Sequence, residues 1–319
     1  MAGTEHAQKL KKKAQASLTL LLVAVISITT ATYAWFTLTS STSVQSMVVQ
    51  VATGTLLRVR DGNLAYSTNI DDYKSTLTVE EVNTALQNQQ GYQLDAIRLW
   101  PFTSGNGHTL YTQNSNGVPT QIDKGVTAEG KNYLELSLWF MSNENMQVYL
   151  NGDSAPDAPK DKPNGTLVSS AAENSDARKP VDRAVRLSFT AFTGGNNQTT
   201  VESTAIYEPN KDGATTLKGN ALSNSAGGAT QETFVDLGTN LGTGHANTPK
   251  APPVIFSLTK DVPKKVVLRI WLEGEDPQCV NGNGDAANKL TDITKAVLET
   301  RLRFCGADDK GNMIEGGTT

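Results

Sequence analysis

Apolar and polar residues alternate in short segments that recur along the chain after residue 43, and this pattern limits the fold more than any other feature. Alternation with a period of two places every second side chain on the same face of an extended strand. It predicts strands at 47–51, 57–60, 134–140, 148–150, 185–191, 254–258, 266–272 and 298–304. Short strands of this kind favour sheets with one buried face. We therefore predict an all-β fold, an antiparallel β-sandwich.

Turn and capping signals predict two local features. The polar segment 142–145 separates two alternating runs and predicts a hairpin between them. Thr78 and Glu81 have the spacing of a capping box, residues 79–90 contain no Gly or Pro, and Gly91 follows. The sequence therefore predicts one short helix over 79–90.

The remaining segments set the predicted domain boundaries. Residues 151–180 are rich in Asp, Pro, Lys and Ser, and residues 194–253 are dominated by Gly, Asn and Thr. We predict that both are loop insertions, which a sandwich tolerates because the entropy of loop closure grows slowly with length. The prediction is one domain over 43–307, with long loop insertions and a disordered tail at 308–319.

The N-terminus has the layout of an export signal. A basic segment, 9–13, precedes the uncharged apolar run 18–28, and Ala34 ends a small-residue site that predicts cleavage between Ala34 and Trp35. A retained signal-anchor is the alternative, because 20 residues without Gly or Pro span a bilayer core of roughly 30 Å as a helix. We assign residues 1–36 to a hydrophobic export helix, either signal peptide or signal-anchor, and 37–42 to a spacer.

Both alternatives give the same topology. The lysines stay in the cytoplasm and the rest of the chain lies outside, so the predicted location is extracellular or at the cell surface, with membrane contact through the N-terminal segment. Residues 1–34 hold four lysines and Glu5, which leaves 24 basic and 31 acidic residues and a net charge of −7. A negative body argues against nucleic acid as a partner.

Export also permits a disulfide. Cys279 and Cys305 are the two cysteines, and each lies at the end of a predicted strand. In the chain-entropy model, closing this loop stabilises the fold by roughly 3–4 kcal/mol. The alternative is two thiols.

A segment near the N-terminus resembles a known family. The aromatic junction Tyr33-Ala34-Trp35-Phe36, a Ser/Thr spacer and the strand-forming segment 44–60 occur in the order found in the TasA and camelysin family of Gram-positive biofilm-matrix fibre proteins. The resemblance covers about residues 18–60. It implies a jelly-roll structural subunit that is exported through a dedicated signal peptidase.

The resemblance also implies a mode of assembly. In β-augmentation an extended segment of one chain adds as a strand to another, and its alternate side chains fill pockets there. The candidate donor residues are Met47, Val49 and Val51, and the implied partners are other copies of the chain or other matrix subunits. The alternative is that this strand pairs within its own domain.

The residues give little support for catalysis. The three histidines, His6, His108 and His245, have no His-Glu-x-x-His spacing, so a zinc hydrolase site has no evident ligands. No G-x-S-x-G motif or cysteine-histidine arrangement is present either. We predict that the protein is not an enzyme.

One loop has oxygen ligands at the spacing of a calcium site. Asn281, Asn283 and Asp285 alternate with other residues, and Asp292 occupies the twelfth position. However, the sixth position is Ala286 where calcium loops use Gly, so the alternative is a plain Gly/Asn turn. No other cofactor is predicted.

Aromatic residues suggest a second functional class. Trp139 and Trp271 fall on the outward phase of their predicted strands. Exposed, they would form a platform for sugars, which makes a surface adhesin or carbohydrate-binding module the alternative function. Packed under the long loops, they would be ordinary core residues.

Overall fold

Two sheets pack against each other because each presents one apolar face. The computed structural model describes residues 42–51, 57–113, 119–122, 133–150, 166–172, 184–207, 233–235, 254–273 and 296–308. The strands in these ranges are β1 Thr42–Val51, β2 Leu57–Asp61, β3 Thr76–Leu77, β4 Arg98–Leu99, β5 Pro101–Phe102, β6 Leu110–Gln113, β7 Pro119–Ile122, β8 Leu134–Ser142, β9 Met146–Leu150, β10 Leu167–Ala172, β11 Val185–Thr193, β12 Thr200–Tyr207, β13 Thr233–Val235, β14 Phe256–Leu258, β15 Lys264–Glu273 and β16 Ala296–Ala307. The predicted all-β class is confirmed.

The first sheet has the strand order β14-β9-β16-β1-β3, with β10 also beside β16 and β4 beside β1. The second has the order β13-β12-β11-β15-β8-β2, with β5 also beside β15. β6 and β7 pair with each other. The sheets are mixed rather than purely antiparallel, because β1 is parallel to β16, β5 to β15 and β12 to β13.

Aromatic side chains fill the space between the sheets. The ring centroid of Phe140, from β8, lies 5.0 Å from those of Phe256 and Phe304, which belong to β14 and β16 of the other sheet. Phe189, on β11, meets Phe304 edge to face at 5.6 Å. Contacts of this geometry contribute about 1 kcal/mol each beyond burial of the rings.

The predicted hairpin at 142–145 is wrong. β8 belongs to the second sheet and β9 to the first, so this turn carries the chain across the edge of the sandwich. The connection from β14 to β15 crosses beside it, and the two are bonded to each other: Asp261 N donates to Ser142 O at 2.7 Å, and Lys260 N donates to Asn145 Oδ1 at 2.8 Å. A polar turn alone does not distinguish pairing from crossing.

The segments predicted as insertions contain strands of the sheets. β10, within 151–180, pairs with β16 over six residues. β12, within 194–253, pairs with β11. The alternation of β12 is hidden because its first four residues are exposed and its last four are buried. β13 is a further short strand in the same segment.

The predicted helix is confirmed as α1, Val79–Gln90. Thr78 Oγ1 accepts a hydrogen bond from Glu81 N, and the Glu81 carboxylate accepts one from Thr78 N. Gly91 ends the helix with a φ of +81°, a left-handed conformation in which glycine has no steric penalty. Val82, Ala85 and Leu86 are buried, so α1 covers part of the sandwich.

Candidate assembly interface

β1 lies inside the first sheet. On one side it runs parallel to β16 from Ser43 to Val51. On the other side β4 pairs with its first two residues and β3 with Val49 and Gln50. An N-terminal strand therefore occupies an inner position in the sheet, with β16 along one edge and shorter elements along the other.

A β-bulge sets the register of β1. Val44 pairs with Leu298 and Ser46 with Glu299, which leaves Gln45 as the extra residue. Because the bulge shifts the phase of the strand by one residue, Thr42 and Val44 face the core before it and Met47, Val49 and Val51 face the core after it. The alternation that the sequence shows from Met47 onward is thus continued upstream through the bulge.

The core-facing side chains of β1 are fully enclosed. Val44, Met47 and Val49 are 0% exposed and Val51 is 3% exposed. Their register partners on β16 are Leu298, Thr300, Leu302 and Phe304. The three candidate donor residues therefore lie in the core beside β16 of the same chain, and sequence reasoning missed Val44 because the bulge interrupts the alternation.

A short segment after the first two strands joins the two sheets. Lys74 exchanges both backbone hydrogen bonds with Val59 of β2, at 2.8 Å each. One residue later, Ser75 O accepts a hydrogen bond from Val51 N at 2.9 Å, before β3 pairs with β1. This segment closes the sandwich at the end of β1.

The two tryptophans do not form an exposed platform. Trp139 is 4% exposed, its Nε1 donates to Leu64 O at 3.1 Å, and the ring of Tyr66 packs on it edge to face. Trp271 is 0% exposed and lies in a cluster with Phe102 and other apolar residues. The carbohydrate platform is thus wrong for these residues, because both are buried. Trp139 lies beneath the segment that holds Leu64 and Tyr66, which is not one of the predicted insertions.

The outer face of the second sheet carries a polar cluster beside its aromatic residues. Glu135 Oε2 accepts a hydrogen bond from Arg269 Nε at 2.7 Å, and Arg269 Nη1 donates to Thr190 Oγ1 at 3.2 Å. Beside this pair, burial raises the pKa of Tyr133 well above its ordinary value. These groups satisfy one another, as buried polar groups in a structural layer do.

A cavity of about 260 Å³ opens near the start of β2. Its lining residues are Arg58, Ile70, Asp71, Tyr73 and Asn143. The guanidinium carbon of Arg60 lies 5.7 Å from the centre of the Tyr73 ring, and burial raises the pKa of Tyr73 to about 12. The lining holds one arginine and one carboxylate, so the cavity favours neither an anionic nor a cationic ligand.

Several predicted sites lie outside the described residues. They are the cleavage pair Ala34 and Trp35, the cysteine Cys279, and the calcium ligands Asn281, Asn283, Asp285 and Asp292. Cys305 is described: it is 0% exposed, and its Sγ lies 3.7 Å from Tyr149 O. The disulfide and the calcium site stay predictions.

In the described ranges, no group of three or more His, Cys, Asp or Glu side chains is arranged to hold a metal ion. Among the same residues, no helix has the length and apolarity needed to cross a membrane.

Comparison with known proteins gives no relative from which a role can be transferred. No family model, curated protein or solved structure matches the chain.

Proposed function

We propose that this protein is an extracellular structural subunit of a cell-surface or biofilm-matrix fibre, and that neighbouring subunits join by donating β1. The observation that carries the proposal is the place of β1, an N-terminal strand that sits inside a sheet and fills the core with Val44, Met47, Val49 and Val51. The same strand, supplied by a neighbouring chain, can form the same backbone bonds with β16 and fill the same positions.

The connection after β1 limits the geometry of such a fibre. β1 ends at Val51 in the first sheet, and β2 begins at Leu57 in the second. Six extended peptide units span about 20 Å. A donated β1 therefore reaches only a body in direct contact with its own, and each subunit gives one strand and receives one. Such a head-to-tail contact is heterologous, and it builds an open filament when the rotation between subunits does not close a ring.

The wider setting of the proposal comes from the sequence. The export helix in residues 1–36 takes the domain across the membrane, and the jelly-roll arrangement implied by the family resemblance is the body that is displayed outside. The partners are further copies of the chain or other matrix subunits. The net charge of −7 beyond residue 34 fits a protein partner better than nucleic acid. We propose a role without catalysis.

Mixed single-cysteine chains test strand donation. Val48 and Arg301 are register partners on β1 and β16, and both side chains are partly exposed. We would replace both native cysteines by Ala, prepare Val48→Cys in one mature chain and Arg301→Cys in another, mix the two and oxidise them. Donation places a thiol of one chain beside a thiol of the other, so we expect a disulfide-linked heterodimer on a non-reducing gel, together with filaments by electron microscopy.

The control exchanges Val48→Cys for Gln45→Cys. Gln45 is exposed and has no register partner in the bulge, so its thiol is not held beside position 301. A second arm uses one chain that carries both Val48→Cys and Arg301→Cys. If only this chain cross-links, and only within itself, while the mixture gives no heterodimer above the Gln45→Cys background, strand donation is wrong.

A further inference from the structure

The edge of β8 is only partly covered by a strand. β2 pairs with β8 from Ser142 to Leu138. Just after β2, Gly62 N still donates to Ser137 O at 2.9 Å. From Leu136 towards the start of β8, no described strand lies on that side. An uncovered run of backbone N–H and C=O groups is a template on which another extended chain can pair.

A glutamine from α1 completes the bonding of Ser137, where the pairing with the β2 segment ends. Gln89 Oε1 accepts a hydrogen bond from Ser137 N at 2.7 Å, and Gln89 Nε2 donates to Ser137 O at 2.9 Å. A side-chain amide carries the same donor and acceptor as a peptide group, so Gln89 binds Ser137 as one residue of a neighbouring strand would. Asp61 Oδ1 accepts a second hydrogen bond from Gln89 Nε2 at 2.6 Å, which fixes the orientation of the amide.

Tyr92 and Gln90 continue the cover. The Tyr92 hydroxyl donates to Tyr133 O at 3.4 Å and also hydrogen-bonds the backbone of Glu135. Gln90 Nε2 donates to Glu135 Oε1 at 3.4 Å. Tyr92 is 9% exposed, and its burial raises its pKa, so the phenol stays protonated and able to donate. The end of α1 and Tyr92 thus bind the backbone of β8 at residues 133, 135 and 137.

We propose that the end of α1, through Gln89 and Tyr92, blocks the addition of an extended strand from a second copy of this chain at β8. Side chains take the place of a neighbouring strand here. They bind the backbone N–H and C=O groups of the edge, but they present no new row of backbone groups with which another strand could pair. Contacts between copies are thereby directed away from this part of the second sheet. The inference rests on contacts within one chain and does not depend on donation of β1.

The test is the full mature chain with Gln89→Met and Tyr92→Phe, which keep the bulk of both side chains and remove their hydrogen bonds. The control is Gln87→Met, because Gln87 is exposed on the same helix. Light scattering coupled to gel filtration would measure mass over a hundredfold range of concentration. We expect the double variant to form larger species as concentration rises while the control behaves as the parent chain does.

Hydrogen exchange locates the association. In the dilute double variant, the amides of Glu135 and Ser137 should exchange at least tenfold faster than in the parent, and they should regain protection when the variant associates. A folded double variant of unchanged mass overturns the proposal, and so does association that leaves these two amides unprotected. If the double variant does not fold, Gln89→Met alone is put through both measurements and judged by the same outcomes.

Discussion

Met47 on β1 and Thr300 on β16 are register partners in the core, and the Thr300 hydroxyl is buried without a hydrogen-bond partner in the part of the chain that the structure describes. A buried polar atom in this state costs roughly 1–3 kcal/mol. The pairing of β1 with β16 therefore contains a local weakness at its centre, next to Met47, the largest fully buried side chain of β1.

The first prediction is that Thr300→Val stabilises the protein. The substitution keeps the shape of the side chain and removes the unsatisfied hydroxyl, so we expect the free energy of unfolding to rise by about 1 kcal/mol in urea denaturation. Thr166→Val is the matched control with the opposite sign, because Thr166 Oγ1 accepts a hydrogen bond from Arg303 N at 3.1 Å. Equal effects of the two substitutions would contradict the argument.

The second prediction concerns Met47. Truncation of this fully buried side chain in Met47→Ala removes apolar contact and leaves a cavity, so we expect a loss of about 2–5 kcal/mol in unfolding free energy. Gln45→Ala, two residues away in the exposed bulge, should change it by no more than about 0.5 kcal/mol. Both values come from the same denaturation experiment. Similar values for the two variants would show that β1 is not part of the core.

The third prediction is a pH dependence at the start of α1. The hydrogen bond from Lys74, and then that from the backbone of Thr78, lower the pKa of the Glu81 carboxyl. A carboxyl whose pKa is lower in the folded state adds stability above its unfolded pKa, near 4.3, and loses it as pH falls through the folded value. We expect the stability difference between the parent and Glu81→Gln to be largest near pH 7 and to vanish in acid.

Thr78→Ala tests the same cap without a change of charge. Loss of the side-chain acceptor for Glu81 N should cost about 1 kcal/mol. Thr84→Ala, on the exposed side of the helix, should be neutral or slightly stabilising, because alanine has the higher helix propensity. For the pH dependence above, a stability difference between the parent and Glu81→Gln that grew in acid would show that the ion pair of Lys74 and Glu81 is not its origin.

Patterns confined to a few neighbouring residues gave the reliable predictions. The alternation in 134–140 and the capping box at Thr78 both depend on local chemistry, and both are confirmed. The crossing at 142–145 was missed because its partner is the turn near Asp261, far away in the chain. Trp139 faces outward from its strand, as the alternation indicates. The segment that covers it, with Leu64 and Tyr66, was not predicted, because it is irregular and has no repeating sequence pattern.

The position of β1 depends on pairing that alternation does not specify. The inward phase of Met47, Val49 and Val51 follows from a period of two, whereas their parallel pairing with β16 joins the two ends of the domain. Gln45 contributed no signal because a bulge is visible only against its partner strand. The cover on β8 was equally hidden, since Gln89 is an ordinary helix residue until Ser137 is placed beside it.

The fourth prediction is a loss of stability in alkali. Burial raises the pKa of Tyr73 to about 12, above its unfolded value near 10. A group whose pKa is raised in the folded state adds stability below the unfolded pKa and loses it as pH rises towards the folded value. We expect unfolding free energy to fall between pH 10 and pH 12, and the fall to be shallower in Tyr73→Phe. An equal slope in the variant would mean that Tyr73 ionises freely.

The fifth prediction compares two glycines by what a methyl group would meet. At Gly62 an added Cβ lies 2.4 Å from the backbone carbon of Ser137, whereas at Gly306 it lies 2.5 Å from Met146 Sδ. Backbone in a paired strand does not move aside, but a methionine side chain changes rotamer readily. We expect Gly62→Ala to cost about 3 kcal/mol and Gly306→Ala about 1 kcal/mol in unfolding free energy.

Hydrogen exchange gives a second readout of the same comparison. Gly62 N donates to Ser137 O at 2.9 Å, beside the bond from Gln89. Gly62→Ala should therefore speed exchange of the Ser137 amide, while Gly306→Ala leaves it unchanged. The reverse order of the two costs would show that β2 and β8 separate more easily at this point than their close approach implies.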